Sequence, residues 1–124
     1  MIVCITSEGE NPDSQIDPRF DRAEYFIIVD LESGKLEAVR NEHAGEMGGV
    51  GVRSAQLMAD KGVSCIITGH VGPNAFKALQ SFKVEIFTGA SGTVKETLEK
   101  YKKGELKKAE SADAVEKSGL KPKF

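Results

Sequence analysis

The sequence predicts an α/β, three-layer domain built on a five-stranded mixed sheet with strand order 3-2-1-4-5, strand 2 antiparallel and three main helices. Three observations predict it. The runs Met1-Ile2-Val3-Cys4-Ile5 and Val63-Ser64-Cys65-Ile66-Ile67 carry no charged side chain, as strands buried on both faces do. From Gly51 onward, apolar runs, glycine turns and amphipathic patterns alternate, the order of parallel strands joined by helices. Between Glu24–Asp30 and Lys35–Asn41 stand only Leu31-Glu32-Ser33-Gly34, enough for an antiparallel hairpin and too short for a crossover.

Strand 1 covers Met1 to Thr6. Ser7 to Arg22 is a polar loop with Pro12, Pro18 and five carboxylates, a composition that opposes regular structure. Strand 2, Glu24 to Asp30, is strongly β-forming through Tyr25-Phe26-Ile27-Ile28-Val29. Strand 3, Lys35 to Asn41, has the mixed polarity of a sheet edge. The first helix runs from about Val50 to Lys61, with Val52, Ala55, Met58 and Ala59 inward and Gly62 as its stop. Strand 4, Val63 to Thr68, leads into a second helix, Pro73 to Phe82, with Ala75, Phe76, Leu79 and Phe82 inward. Strand 5 spans Lys83 to Thr88. The third helix, about Thr93 to Lys103, opens on a capping box, Thr93-x-x-Glu96, and buries Val94, Leu98 and Tyr101. Glu105 to Phe124 is lysine-rich, with at most a short helix near Ala109 to Lys117. The organisation expected is one domain over residues 1–106 and a charged tail over 107–124.

Composition excludes several classes. A chain of 124 residues makes one ordinary domain, and a net charge of −2 gives no general attraction to nucleic acid. No apolar run approaches a membrane span and no signal peptide is visible, so the expected compartment is the cytoplasm. Cys4 and Cys65 lie mid-strand, where reduced, buried thiols are expected. No C-x-x-C or Cys/His ligand spacing encodes a standard zinc or iron–sulfur site.

The candidate functional centre is Thr68-Gly69-His70-Val71-Gly72-Pro73-Asn74, a turn from a buried strand into a helix. Pro73 suits the first helical position. Gly69 and Gly72 permit a tight turn and close approach of a ligand to backbone N–H groups. In such sheets, ligands sit at the carboxyl ends of the parallel strands, where helix N-termini favour an anion. A second glycine-rich segment, Glu42 to Gly51, is either a linker or a lid whose amides, at Gly48 and Gly49, close over the same ligand. It lacks the Gly-Lys-Ser/Thr of a phosphate loop. Arg19 and Arg22, in Asp17-Pro18-Arg19-Phe20-Asp21-Arg22-Ala23, either brace the loop with ion pairs or face the anion.

Three segments carry a family resemblance. Asp17 to Ala23 before a Tyr-Phe strand resembles an F-x-R-A segment; Gly69-His70-Val71-Gly72-Pro73-Asn74-Ala75 resembles a G-x-x-G-P-x-A turn; Thr93-Val94 through Gly104-Glu105-Leu106 resembles a closing helix with a G-x-L ending. Together, over about residues 1–106, they are similar to the dinitrogenase iron–molybdenum cofactor biosynthesis family, of the NifX type and the NifB C-terminal domain. The resemblance implies a ribonuclease-H-like fold, which the expected strand order also matches. It further implies transient binding of a metal–sulfur cluster, iron–sulfur or iron–molybdenum in type, or of its precursor. Cluster donor and acceptor proteins would be its partners.

His43 and His70, the two imidazoles of the chain, are then the metal-ligand candidates, with Met47 as a soft accessory donor. Arg19, Arg22, Gly48, Gly49, Gly69 and Gly72 would support the cluster's charge. No nucleophile–base pair can be assembled from sequence, so the protein reads as a non-enzymatic carrier. Two other readings stand beside it: a cofactor-free protein interaction module, and a small-anion or nucleotide binder. A nuclease of this layout would need carboxylates on central strands, where this chain has Cys4 and Cys65.

Overall fold

The computed structural model describes residues 1–42, 44–45 and 49–109. β1 (Ile2–Ser7) is the central axis of the sheet. It pairs antiparallel with β2 (Tyr25–Asp30) on one side and parallel with β4 (Cys65–Ile67) on the other. β3 (Leu36–Arg40) closes the hairpin with β2, and β5 (Glu85–Thr88) runs parallel to β4. The strand order is β3-β2-β1-β4-β5-β6.

The sixth strand corrects the expected five. β6 (Lys107–Lys108) lies antiparallel on β5, where Ala109 N–H donates to the Ile86 carbonyl and Lys108 pairs with Glu85 at 3.1 Å. It has no apolar side chain to announce it; backbone bonds and one surface ion pair hold it. The rest of the tail, and with it the expected short helix beyond Ala109, lies outside the described residues.

Side-chain alternation on the strands divides the core in two. Cys4, Phe26, Ile28, Ile66 and Ile86 face α1 (Val50–Asp60) and α2 (Pro73–Ser81). Val3, Ile5, Ile27, Val29, Cys65 and Ile67 face α3 (Val94–Lys102). The layers are therefore α1 and α2, sheet, and α3. Both cysteines are free and fully buried, one on each face.

Helix phases differ from expectation at two residues. Val52 is 47% exposed and Phe82 38% exposed. α1 instead turns Val50, Gly51, Ser54, Ala55 and Met58 inward, because its small residues let it approach α2. Phe82 falls at the C-cap of α2, beyond its buried stripe. Lys83 follows with φ 62, a left-handed residue ending the helix, so β5 begins later than the expected Lys83.

The long loop after β1 is pinned by its aromatic side chain. Phe20 is fully buried and packs on Phe26, ring centroids 5.7 Å apart. Thr6 Oγ1 donates to the Asp17 carbonyl at 2.6 Å and meets Thr68 Oγ1 at 2.7 Å, tying the loop to the ends of β1 and β4.

Candidate functional site

The ends of β3, β4 and β5 lead into α1, α2 and α3, so three helix N-termini gather at one edge of the sheet. They are not equivalent. The first turn of α3 is saturated: Val94 N–H donates to the Ser14 carbonyl at 2.9 Å and Lys95 N–H to the Pro12 carbonyl at 2.9 Å. Glu96 N–H donates to Thr93 Oγ1 at 3.1 Å, while the Glu96 carboxylate accepts from Thr93 N–H at 2.9 Å, the complete capping box. Those Thr93 bonds hold the Glu96 carboxyl below the usual carboxylate range.

α1 and α2 start otherwise. Their N-cap residues are Gly49, left-handed at φ 69, and Gly72, extended. Neither supplies a side-chain cap, and α2 carries Pro73 at its start. Among the described residues, the N–H groups of Val50, Gly51, Val52, Asn74 and Ala75 have no acceptor. The two N-termini also touch. A Cβ on Gly51 would stand 2.8 Å from the Ala75 Cβ, so only glycine lets the first turns meet this closely.

Between these turns lies a cleft of about 220 Å³, lined by Asp21 and Arg22 from the loop and by the first turns of α1 and α2. Arg22 is half-buried and donates to the Ala44 carbonyl at 2.8 Å, linking the loop to the glycine-rich segment. Asn41 braces the same loop, its side-chain amide donating to the Asp21 carbonyl at 3.2 Å and the Ala23 carbonyl at 2.9 Å. A Cβ on Gly72 would meet nothing within 4 Å; its glycine leaves open space at the cleft rather than relieving a clash. Two helix N-termini and Arg22 thus line one opening, where Asp21 is the one carboxylate among the described residues, and the aligned peptide dipoles favour a small anion there.

The sequence candidates separate into three groups. Arg22, Gly49 and Gly72 line this cleft. Arg19, Gly69 and His70 stand beside it, in the contact between the loop and the turn after β4. There His70 N–H donates to the Pro18 carbonyl at 2.8 Å and Phe20 N–H to the His70 carbonyl at 3.3 Å, pairing the Arg19 and His70 backbones. A Cβ on Gly69 would lie 2.5 Å from the Pro18 oxygen, so the close approach its glycine permits is to the protein's own loop. Arg19 is exposed and reaches the buried Asp17 carboxylate at 4.0 Å. His43, Gly48 and the accessory candidate Met47 lie outside the described residues.

Sequence reasoning missed Asp21 and Ala75 as cleft residues, and held Asn74 and Gly51 only as ends of the two glycine-containing segments. Gly51 was legible only as one glycine in a glycine-rich run; its role appears once α1 and α2 are side by side. Among the described residues, no three His, Cys, Asp or Glu side chains converge as a metal site. Cys4 and Cys65 do not contribute: burial pushes the Cys65 thiol up to about 11 and Cys4 higher still. Among the same residues, no helix is long and apolar enough to cross a membrane.

Fold and cleft define a small mixed α/β domain with an anion-favouring opening between two helix N-termini. The family model described as dinitrogenase iron-molybdenum cofactor matches residues 1–104, and the chain belongs to that family. An uncharacterized protein of Methanocaldococcus jannaschii is 31% identical over 100 residues, 78% of this chain and 85% of that one. The apo form of the orange protein from Desulfovibrio gigas superposes with a TM-score of 0.87 at 32% identity, covering 90% of this chain and 95% of that one. A candidate NifB protein from Thermotoga superposes with a TM-score of 0.82 at 37% identity, covering 92% and 97%.

Proposed function

We propose that this protein is a non-enzymatic carrier of an anionic metal–sulfur cluster, iron–sulfur or iron–molybdenum in type, or of its precursor, taken from a donor protein and passed to an acceptor. One observation carries the reading: the first turns of α1 and α2, without side-chain caps among the described residues, converge with Arg22 on one cleft. Membership of the iron–molybdenum cofactor family supplies the class of cargo.

The residues fit such a cargo as a docking site rather than a cage. Sulfide-bridged clusters carry negative charge, which helix dipoles and a guanidinium offset. The cleft, at about 220 Å³, is smaller than an enclosed cofactor pocket of roughly 300–1,000 Å³. The cargo would rest at its mouth, with His70 and His43 as the metal ligands and Met47 as an accessory donor. Gly48, Gly49, Gly69, Gly72 and Arg19 complete the proposed surround. Few protein ligands suit a cargo that must leave again. The same reading takes the layout as ribonuclease-H-like, residues 1–106 together with the short β6 as the cargo domain, the charged residues that follow as a tail, and the cytoplasm as its place of work.

Anaerobic loading with candidate clusters, followed by visible absorbance and metal analysis, tests this on the wild type and on His43→Ala, His70→Ala and Arg22→Ala. Stoichiometric uptake that a histidine substitution abolishes is expected. Absence of uptake by folded wild type would leave the chain as a cofactor-free interaction module. Uptake of simple anions, blocked by Arg22→Ala while no cluster binds, would make it a small-anion binder.

A further inference from the structure

Asn41 follows the largely exposed strand β3, yet is itself only 7% exposed. Burying a side-chain amide opposes folding unless its donors are met. Both N–H donors of the Asn41 amide are met, by the Asp21 carbonyl at 3.2 Å and the Ala23 carbonyl at 2.9 Å. Those two carbonyls flank Arg22. The Asn41 main-chain N–H donates to the next carbonyl of the same segment, that of Glu24, at 2.9 Å.

The other end of Arg22 leads back to the same residue. Arg22 Nη1 donates to the Ala44 carbonyl at 2.8 Å, and Ala44 N–H donates to the Asn41 carbonyl at 3.4 Å. The hydrogen bonds therefore close a circuit: the Asn41 side chain fixes the backbone on either side of Arg22, and its carbonyl fixes the residue that receives the guanidinium. Asp21 and Arg22 line the helix-end cleft, whereas Asn41 stands behind them. A long side chain gives up rotamer freedom when an anion orders it, and one ordered beforehand does not. We propose that Asn41 is a positioning residue for that cleft, setting Arg22 in place before any anion arrives. The consequence for binding rests on the reading of the cleft as an anion-docking site; the placement of Arg22 does not.

Nitrogen-15 spectra of the full chain test this through the Arg22 Nε–Hε signal, identified by its loss in Arg22→Ala. In Asn41→Ala the signal is expected to move toward that of an unstructured arginine, with proton exchange about tenfold faster. The milder Asn41→Ser, which keeps one donor, should move it in the same direction and less far. Val39→Ala, which removes core contacts from the same strand, should leave it in place. With sulfate as the probe, followed at the amides of Val50–Val52 and Asn74–Ala75, affinity should fall about tenfold in Asn41→Ala. The double variant Asn41→Ala/Arg22→Ala should bind no more weakly than Arg22→Ala, because Asn41 acts through Arg22. An Arg22 signal unmoved in both folded Asn41 variants, equal displacement by Val39→Ala, or additive losses of sulfate affinity would overturn the assignment. If folded wild type takes up neither sulfate nor a cluster, the reading of the cleft falls, while the Arg22 signal still decides the role of Asn41.

Discussion

Gly51 and Ala75 set the distance between α1 and α2: a methyl group on Gly51 would lie 2.8 Å from the Ala75 Cβ and 3.3 Å from its Cα. The two first turns are joined at this contact, and the cleft opens beside it. Gly51→Ala must part the helices or strain both backbones. Overpacking of this kind costs about 1–3 kcal/mol. A lower denaturation midpoint together with weaker cluster uptake is expected, and an unchanged midpoint would show that the turns separate freely.

Gly72 offers the opposite case. Its φ of −73 suits any residue, and the space where a Cβ would stand is empty. Gly72→Ala is therefore expected to leave the melting temperature within about 1 °C, since such a change is worth a few tenths of a kcal/mol at most. Cluster uptake should fall, because the methyl projects where the cargo would rest. Equal uptake by the two proteins would place the cargo elsewhere.

The capping box on α3 ties the helix start to the strand-to-helix turn. Thr93→Ala should cost about 1 kcal/mol. The Glu96 carboxyl titrates below its unfolded range in the folded chain, so its contribution is complete above the unfolded value and fades as pH falls through the folded one. Stability profiles between pH 7 and 3 should show Glu96→Gln with a shallower acid slope than the wild type. Parallel profiles would mean that the carboxylate contributes nothing beyond its amide replacement.

Alkali should act through the buried thiols. Burial raises Cys65 from 9.0 to about 11, Cys4 further, and the Tyr101 hydroxyl in the same direction. The folded chain holds these protons longer than the unfolded chain, so the associated stability is full below about pH 9 and declines as pH rises toward 11. Urea midpoints across that range should fall more gently for Cys65→Ala than for the wild type. Identical slopes would assign the alkaline loss to other groups.

The central strands were legible because burial on both faces leaves a mark in composition: β1 and β4 are uncharged, and apolar from Ile2 to Ile5 and from Cys65 to Ile67. Pro73 marked the start of α2, and Thr93 with Glu96 marked α3. β6 left no mark, since two lysines held by backbone bonds look like any surface segment. Val52 misled because hydropathy assigns it inward, whereas the helix turns Gly51 and Ser54 toward its neighbours. Glycines at helix starts pointed to Gly49 and Gly72, and a guanidinium in the charged loop pointed to Arg22; the three share the cleft. The contributions of Asp21 and Ala75 arise from the tertiary approach of segments far apart in the chain. His70 was expected to face a ligand and Arg19 either to brace its loop or to face the same ligand; what the structure adds is that their backbones are partners of each other.

Cys4 and Cys65 sit on neighbouring strands yet in different layers, one beneath α1 and α2, the other beneath α3. Nature has thereby equipped the chain with two independent reporters of breathing. A thiol reagent can reach Cys4 only when α1 and α2 lift, and Cys65 only when α3 does. Labelling rates at the two sulfurs, followed with and without cargo, would reveal whether capture quiets one half of the molecule while the other keeps its own rhythm.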